Sequence, residues 1–414
     1  VAQVTTRCGI DAGFVDFNPA SGRHLGYIPG GGVYPAALGD YLADVTNRYA
    51  GVAYASPGAV RLEKKLVAWL AEMVGYPSTF GGDLTSGGSI ANLVGIVVAR
   101  DARNLRGKDF EKSVVYLSAH THHCVDKALR LAGLRDCPVR RIPMDERYRM
   151  DPAQLEAAIR RDREDGLVPW LVVASMGSTD VGAVDPVDAI AEIAQEHELW
   201  LHVDAAYGGF FMLCDPGREV LAGIERSDSL VIDPHKGLFL PYGSGAVLVR
   251  DETQLHLSHY YQSNYMQDAQ ESALELSPAD LSPELSRPFR GLRMWLPLKL
   301  AGLAPFRAAL EEKLELARYF YEQLGKMPGF ELGPPPQLSV VVYRYVPENG
   351  DADAFNRALA DAVLDDGRVC ISTTLLDGQF WLRMAAMNFR THVDTIDLYL
   401  EILGDAVAAV EKSQ

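Results

Sequence analysis

Two short apolar runs restrict this chain to a narrow set of folds. Leu199-Trp200-Leu201-His202-Val203 and Ser229-Leu230-Val231-Ile232 are continuous rather than alternating in hydrophobicity, the pattern of strands buried on both faces. The stretch between them can hold a short helix over residues 215–228, and a crossover of this kind is what two parallel strands require. Upstream the same rhythm recurs. Leu62, Leu66, Val67, Leu70 and Val74 share one helical face. Helices are predicted over 89–103, 122–134 and 187–197, and strands over 114–117, 139–142 and 170–174. Asp151-Pro152 reads as a cap followed by proline at the first helical position, opening a helix to residue 163. This alternation predicts an α/β fold, a mostly parallel sheet covered by helices on both faces.

Each of the two runs ends in a reactive side chain. Asp204 directly follows the first, and Asp233-Pro234-His235-Lys236 follows the second. Taken alone, a lysine at a strand end is solvated and an aspartate after an apolar run is a turn former. Parallel pairing sets both at the carboxyl edge of one sheet, where open α/β folds bind ligands. An amine and a carboxylate placed together suit pyridoxal phosphate (PLP): the amine holds its aldehyde as a Schiff base, and the carboxylate keeps its ring nitrogen protonated. Thr85-Ser86-Gly87-Gly88-Ser89 lies just before a predicted helix. Its glycines let backbone N–H groups approach an anion, so Gly88 and Ser89 are assigned to the phosphate.

Bulk properties exclude other classes. The chain has 414 residues, 48% of them hydrophobic, enough to bury a large core and more than one domain. A net charge of −16 disfavours nucleic acid and acidic membrane surfaces as partners. Cys8, Cys124, Cys137, Cys214 and Cys370 are odd in number and lack paired spacing, as expected of free thiols in the cytoplasm. The opening residues carry no charged-then-apolar signal pattern, and Val1 in first position fits a chain that lacks native N-terminal residues. His120, His122 and His123 first suggest a metal, but no remote acidic or cysteine cluster completes a ligand set, so no metal site is expected.

Residues 201–211, residues 233–250 and Ser286-Arg287-Pro288-Phe289-Arg290-Gly291-Leu292-Arg293-Met294-Trp295 together resemble the group II PLP-dependent amino acid decarboxylases, which include the aromatic L-amino acid and glutamate decarboxylases. The resemblance runs from about Phe17 to the C-terminus. It implies the fold-type-I PLP architecture, with an N-terminal segment over 1–50, a large cofactor domain over 51–304 and a small α+β domain over 305–414. In the latter, helices are predicted over 305–324, 352–365 and 393–412, and strands over 338–345, 369–374 and 380–385. The resemblance further implies that Lys236 binds PLP, Asp204 pairs with its ring nitrogen, and His122 stacks on the ring, with His123 as the alternative. Ala206 would lie against the other face, Thr179 near the phenolic oxygen, and His235 beside the phosphate. A homodimer is implied as well, with residues 49–57 contributing to the partner's pocket.

The expected activity is decarboxylation of an L-amino acid, aromatic by preference, to an amine and CO₂. Tyr27 and Ile28 match an aromatic part of the family's substrate pocket, whereas Gly87-Gly88 is closer to the acidic-amino-acid branch. Arg383 and Arg390 could bind a side-chain carboxylate, although packing within the small domain suits them better. One departure stands out. The aromatic branch carries a loop tyrosine about eleven residues before the phenylalanine of Ser286-Arg287-Pro288-Phe289, thought to deliver a proton to Cα; here that count reaches Pro278, and the nearest tyrosines are Tyr260, Tyr261 and Tyr265. Oxidative decarboxylation with deamination to an aldehyde therefore stays open, as do another PLP-dependent cleavage such as a carbon–carbon lyase and a PLP-binding protein without catalysis.

Overall fold

The computed structural model describes residues 18–28, 30–261 and 276–413. They divide into two compact units: Gly32–Glu311, and the described residues up to Gly31 together with those from Glu312 onward.

The larger unit is built on seven strands, β1 (Gly81–Thr85), β2 (Ser113–Ser118), β3 (Val139–Ile142), β4 (Val168–Ser175), β5 (Trp200–Asp204), β6 (Ser229–Ile232) and β7 (Gly245–Val249). Their spatial order is β1-β7-β6-β5-β4-β2-β3. From β6 to β3 every pairing is parallel, while β7 runs antiparallel to both β6 and β1. The predicted crossover between β5 and β6 is filled by a helix at Asp215–Val220 and two 3₁₀ turns, and it leaves Asp204 opposite Val231 in register.

Local chemistry sets the helix ends. The helix Pro57–Val74 begins on a proline, whose fixed φ suits the first turn, and stops at Gly75 with φ +78°. Asp151 caps Pro152–Glu164 by accepting from Ala153 N at 2.8 Å and Gln154 N at 3.3 Å, as its spacing predicts. The helix Gly88–Ala102 buries Ala91, Val94, Ile96 and Val98, and packs against β6 and β7.

Residues 32–50 fall within the larger unit. Their helix, Tyr34–Thr46, crosses the helix Gly291–Ala301, where a side chain at Gly39 would collide with the Leu292 carbonyl. Arg293 Nε reaches both oxygens of Asp40 at 2.8 Å across that crossing.

A second polar centre lies inside this unit. The Arg287 guanidinium is fully buried and bonds Asp83 Oδ2 at 2.6 Å, Glu63 Oε2 at 2.9 Å and the Leu84 carbonyl at 2.9 Å. Glu63 Oε1 also accepts from Gly291 N at 2.9 Å. One side chain thus joins β1, the helix Pro57–Val74 and the start of the helix Gly291–Ala301. Burial pushes the Glu63 carboxyl up to about 7, against the pull of Arg287.

The smaller unit holds four antiparallel strands, β8 (Phe330–Leu332), β9 (Val340–Tyr345), β10 (Ser372–Leu376) and β11 (Gln379–Ala385), in the order β10-β11-β9-β8. The helices Ala352–Asp366 and Val393–Ser413 cover them, and Phe320, Tyr343, Phe355 and Tyr399 fill the core. Arg383 Nη1 donates to Ser372 Oγ at 2.8 Å, and Arg390 Nη1 to the Gly31 carbonyl at 2.7 Å, so both arginines serve this unit's own packing. Among the described residues, no helix is long and apolar enough to cross a membrane.

Candidate active site

A cavity of about 270 Å³ opens at the carboxyl ends of β4, β5 and β6, the edge that the strand pattern singles out. Gly88, Ser89, His122, Thr179, Asp204, Ala206, His235 and Lys236 all line it. His123 does not. Its neighbour His122 sits just ahead of the helix His123–Leu131 and accepts the Cys124 N–H on Nδ1 at 3.3 Å, which leaves the proton of the neutral ring on Nε2. Burial lowers the His122 pKa, with Asp204 opposing the shift.

Asp204 ends β5 with both oxygens engaged. Oδ1 accepts from Ala206 N at 3.0 Å, and Oδ2 from Asn92 Nδ2 at 3.1 Å. Each oxygen keeps a further lone pair for a ligand. Lys236 stands on the single turn Pro234–Gly237 that follows β6, with Nζ 3.3 Å from Asp233 Oδ2. The Asp233 side chain is 2% exposed, and its Oδ1 has no hydrogen-bond partner among the described residues. Next to the lysine, His235 Nδ1–H donates to the Ser244 carbonyl, and burial depresses the ring's pKa.

The sequence pattern did not reveal Asn92, Cys124 or Asp233. Asn92 is a polar residue within the apolar middle of its helix; its only signal is the four-residue spacing from Gly88, which puts both on one face. Cys124 is buried beside Asp204, and desolvation pushes its thiol up to about 12, so it stays protonated. Tyr27 and Ile28 belong to the smaller unit. Tyr265 lies outside the described residues, while Tyr260 and Tyr261 are exposed at the end of the helix Glu252–His259. Pro278, where the family's loop tyrosine would count, is buried and opens a 3₁₀ turn closed by Ser277 and Asp280.

A model of the pyridoxal-dependent decarboxylase conserved domain matches residues 20–346. The chain belongs to this family. An aromatic-L-amino-acid decarboxylase of Bacillus atrophaeus is 35% identical over 393 residues, covering 94% of this chain and 81% of that protein. A phenylacetaldehyde synthase of Arabidopsis thaliana is 32% identical over 344 residues, covering 80% and 70%. Among solved structures, Oryza sativa TDC with PLP and tryptamine superimposes with a TM-score of 0.91 at 30% identity, covering 99% of this chain and 87% of that one.

The decarboxylase is thus a fold-type-I, PLP-dependent carboxy-lyase. Its cavity fits the cofactor. Gly87 has φ +146°, and a Cβ at Gly88 would lie 2.8 Å from Asp233 Oδ2 and 3.4 Å from the Ala206 methyl. Only glycine leaves that corner open to an anion at the helix start. Across from it stand an amine on Lys236 and a carboxylate on Asp204, the pair PLP needs.

Proposed function

We propose that this decarboxylase converts an aromatic L-amino acid to its amine and CO₂, taking up one proton at Cα, with Lys236, Asp204 and His122 as catalytic residues. The observation that carries the site assignment is the convergence of all three on one cavity at the sheet edge. Bound PLP supplies the sink for the electron pair left when the bond from Cα to the carboxylate breaks. Lys236 is the covalent anchor. Asp204 would hold the proton on the ring nitrogen, Gly88 and Ser89 would hold the phosphate with His235 alongside, and Thr179 would serve the phenolic oxygen. His122 would cover one ring face and Ala206 the other. With Nδ1 occupied by the Cys124 N–H, His122 offers Nε2–H to the substrate carboxylate and turns it toward the reactive orientation. Buried walls then keep water from that carboxylate, which favours its conversion to neutral CO₂.

Two facts support the aromatic class. Relatives at 35% and 32% identity bear the names of aromatic chemistry. Among the described residues lining the cavity there is no arginine to receive a side-chain carboxylate. A second reading, oxidative decarboxylation with deamination, is favoured by the relative named phenylacetaldehyde synthase and by Pro278 at the tyrosine's position. It consumes O₂ and water and yields an aldehyde, CO₂, ammonia and peroxide. Mass spectrometry of products, after PLP-loaded protein meets tyrosine, tryptophan, phenylalanine, glutamate, aspartate and histidine in air, separates these readings. Amines from the aromatic members are expected. Aldehyde with matching peroxide replaces the first reading with the second, and turnover of glutamate or aspartate alone removes the aromatic assignment.

The same reading includes a homodimer in the cytoplasm. Tyr34, Leu38, Tyr41, Leu42 and Val45 form an exposed apolar stripe on the helix Tyr34–Thr46, with Tyr41 at 64% and Val45 at 65% exposure, and Tyr49 and Tyr54 extend it. A patch of this kind suits a second copy of the chain, and residues 49–57 would reach the partner's pocket from it. The four described cysteines are free, in keeping with a reducing compartment. Light scattering should give twice the chain mass for the native protein and a shift toward the monomer for Tyr41→Glu with Leu42→Glu. A native monomer at micromolar concentration would remove the dimer.

A further inference from the structure

From Asn92, which lines the cavity beside Asp204, a chain of buried hydrogen bonds runs into the larger unit. Strand periodicity puts Trp200, His202 and Asp204 on one face of β5. His202 pairs in register with Ser229 on β6. Trp200 Nε1–H donates to Ser229 Oγ at 2.8 Å, Ser229 Oγ meets His202 Nδ1 at 2.7 Å, His202 Nε2 meets Asn92 Oδ1 at 2.9 Å, and Asn92 Nδ2 donates to Asp204 Oδ2 at 3.1 Å. Asn92, His202 and Ser229 have no exposed surface.

The ends of the chain and the burial of His202 together set the direction of its bonds. Indole N–H can only donate, so Ser229 Oγ accepts there. At the far end Asn92 Nδ2 lies between two acceptors, Asp204 Oδ2 and the Gly88 carbonyl at 2.9 Å, which fixes the amide with its oxygen toward His202. His202 must therefore carry a proton on Nε2. Full burial pushes His202 down to about 4, so the imidazole is neutral and its Nδ1 accepts from the Ser229 hydroxyl. Space for the ring comes from Gly95, where a Cβ would lie 2.5 Å from His202 Cε1.

We propose that Asn92, His202, Ser229 and Trp200 are positioning residues that act on the ring nitrogen of PLP through Asp204, by backing its carboxylate with a neutral, one-directional donor chain. This rests on the reading that Asp204 is the ring-nitrogen partner. A neutral amide donor holds the carboxylate in place without cancelling its charge, so Asp204 keeps a net negative charge facing the ring nitrogen. A charged histidine in direct contact would offset that pull. His202, for its part, prevents the Asn92 amide from turning its oxygen to Asp204.

The test compares affinity for PLP with affinity for its 1-deaza analogue, in which carbon replaces the ring nitrogen, measured by equilibrium binding to apoprotein. Native protein is expected to prefer PLP, and Asn92→Leu to narrow that preference on the order of tenfold, because only the ligand with a ring nitrogen draws on the Asp204 carboxylate that Asn92 holds in place. His202→Phe should narrow it likewise. His202→Gln, which keeps an N–H for Asn92, should retain most of it and supplies the comparison if Asn92→Leu fails to fold. Equal loss of both affinities in Asn92→Leu and His202→Phe would mean that these residues only shape the pocket, and the relay would be overturned. A native protein indifferent to the ring nitrogen would instead remove the underlying assignment of Asp204.

Discussion

Replacing Lys236 with alanine abolishes the visible absorption band of the PLP-loaded protein and lowers decarboxylation by about a thousandfold or more, the scale expected when a covalent anchor is lost. Among the described residues lining the cavity, Lys236 is the one lysine. Its backbone has little freedom to let another residue substitute. Pro234 fixes φ at the start of the turn, and a side chain at Gly237 would collide with Phe210. Lys236→Arg separates covalent from electrostatic roles, since it keeps a cation near Asp233 but cannot form the carbon–nitrogen double bond. Loss of the band in both variants fits the anchor. A band of native intensity in Lys236→Ala would dismiss the site assignment, whatever remained of the activity.

Arg287→Met is expected to destabilise the protein by about 3–5 kcal/mol, because it leaves buried carboxylates without their cation. Asp83 and Glu63 are 3% and 2% exposed, so water cannot take the place of the guanidinium. The loss should depend on pH. The Glu63 carboxyl stands at about 7, above its ordinary 4.5, so the folded state binds that proton more tightly than the unfolded chain does. The stability gained from this proton is complete below about 4.5 and disappears as pH rises through about 7. Without Arg287 the opposing pull on Glu63 is gone, and the raised pKa moves higher still. Denaturant melts at pH 5.5 and pH 8 should therefore show the larger deficit at pH 8. Adding Asp83→Asn and Glu63→Gln should restore most of the loss, and a deficit unchanged by these neutral partners would assign it to packing rather than charge.

The parallel centre of the sheet and most of the cavity were legible in the sequence because both follow from short-range patterns. Apolar runs gave β2, β4, β5 and β6, and Asp204 and Lys236, beyond the ends of two of them, marked the ligand edge. β1 and β7 were not legible. Gly81-Gly82-Asp83 has no strand propensity, and it pairs because β7 supplies hydrogen bonds while its glycines admit Glu252 and Val67 at close range. The helix Tyr34–Thr46 was hidden by its exposed apolar face and by Gly39, which reads as a breaker until the Leu292 carbonyl is seen beside it. Arg287 stood in plain view within the resemblance to the decarboxylases, but its partners are more than two hundred positions away, at Asp83 and Glu63. No local window joins them. Asn92 was missed for the same reason, since its polar character makes sense only once β5 has brought Asp204 and His202 against its helix.

The antiparallel strand β7 also governs when the site can come into being. β1, which leads into the phosphate corner at Gly87 and Gly88, touches the rest of the sheet through β7 alone. A ribosome-bound chain halted before residues 245–249 would already contain Ser89, His122, Asp204 and Lys236, yet would lack the strand that joins β1 to β6. Closing so distant a pair is a slow, late event. The seventh strand, late in the chain, is thus what joins the strand before the phosphate corner to the parallel centre of the sheet.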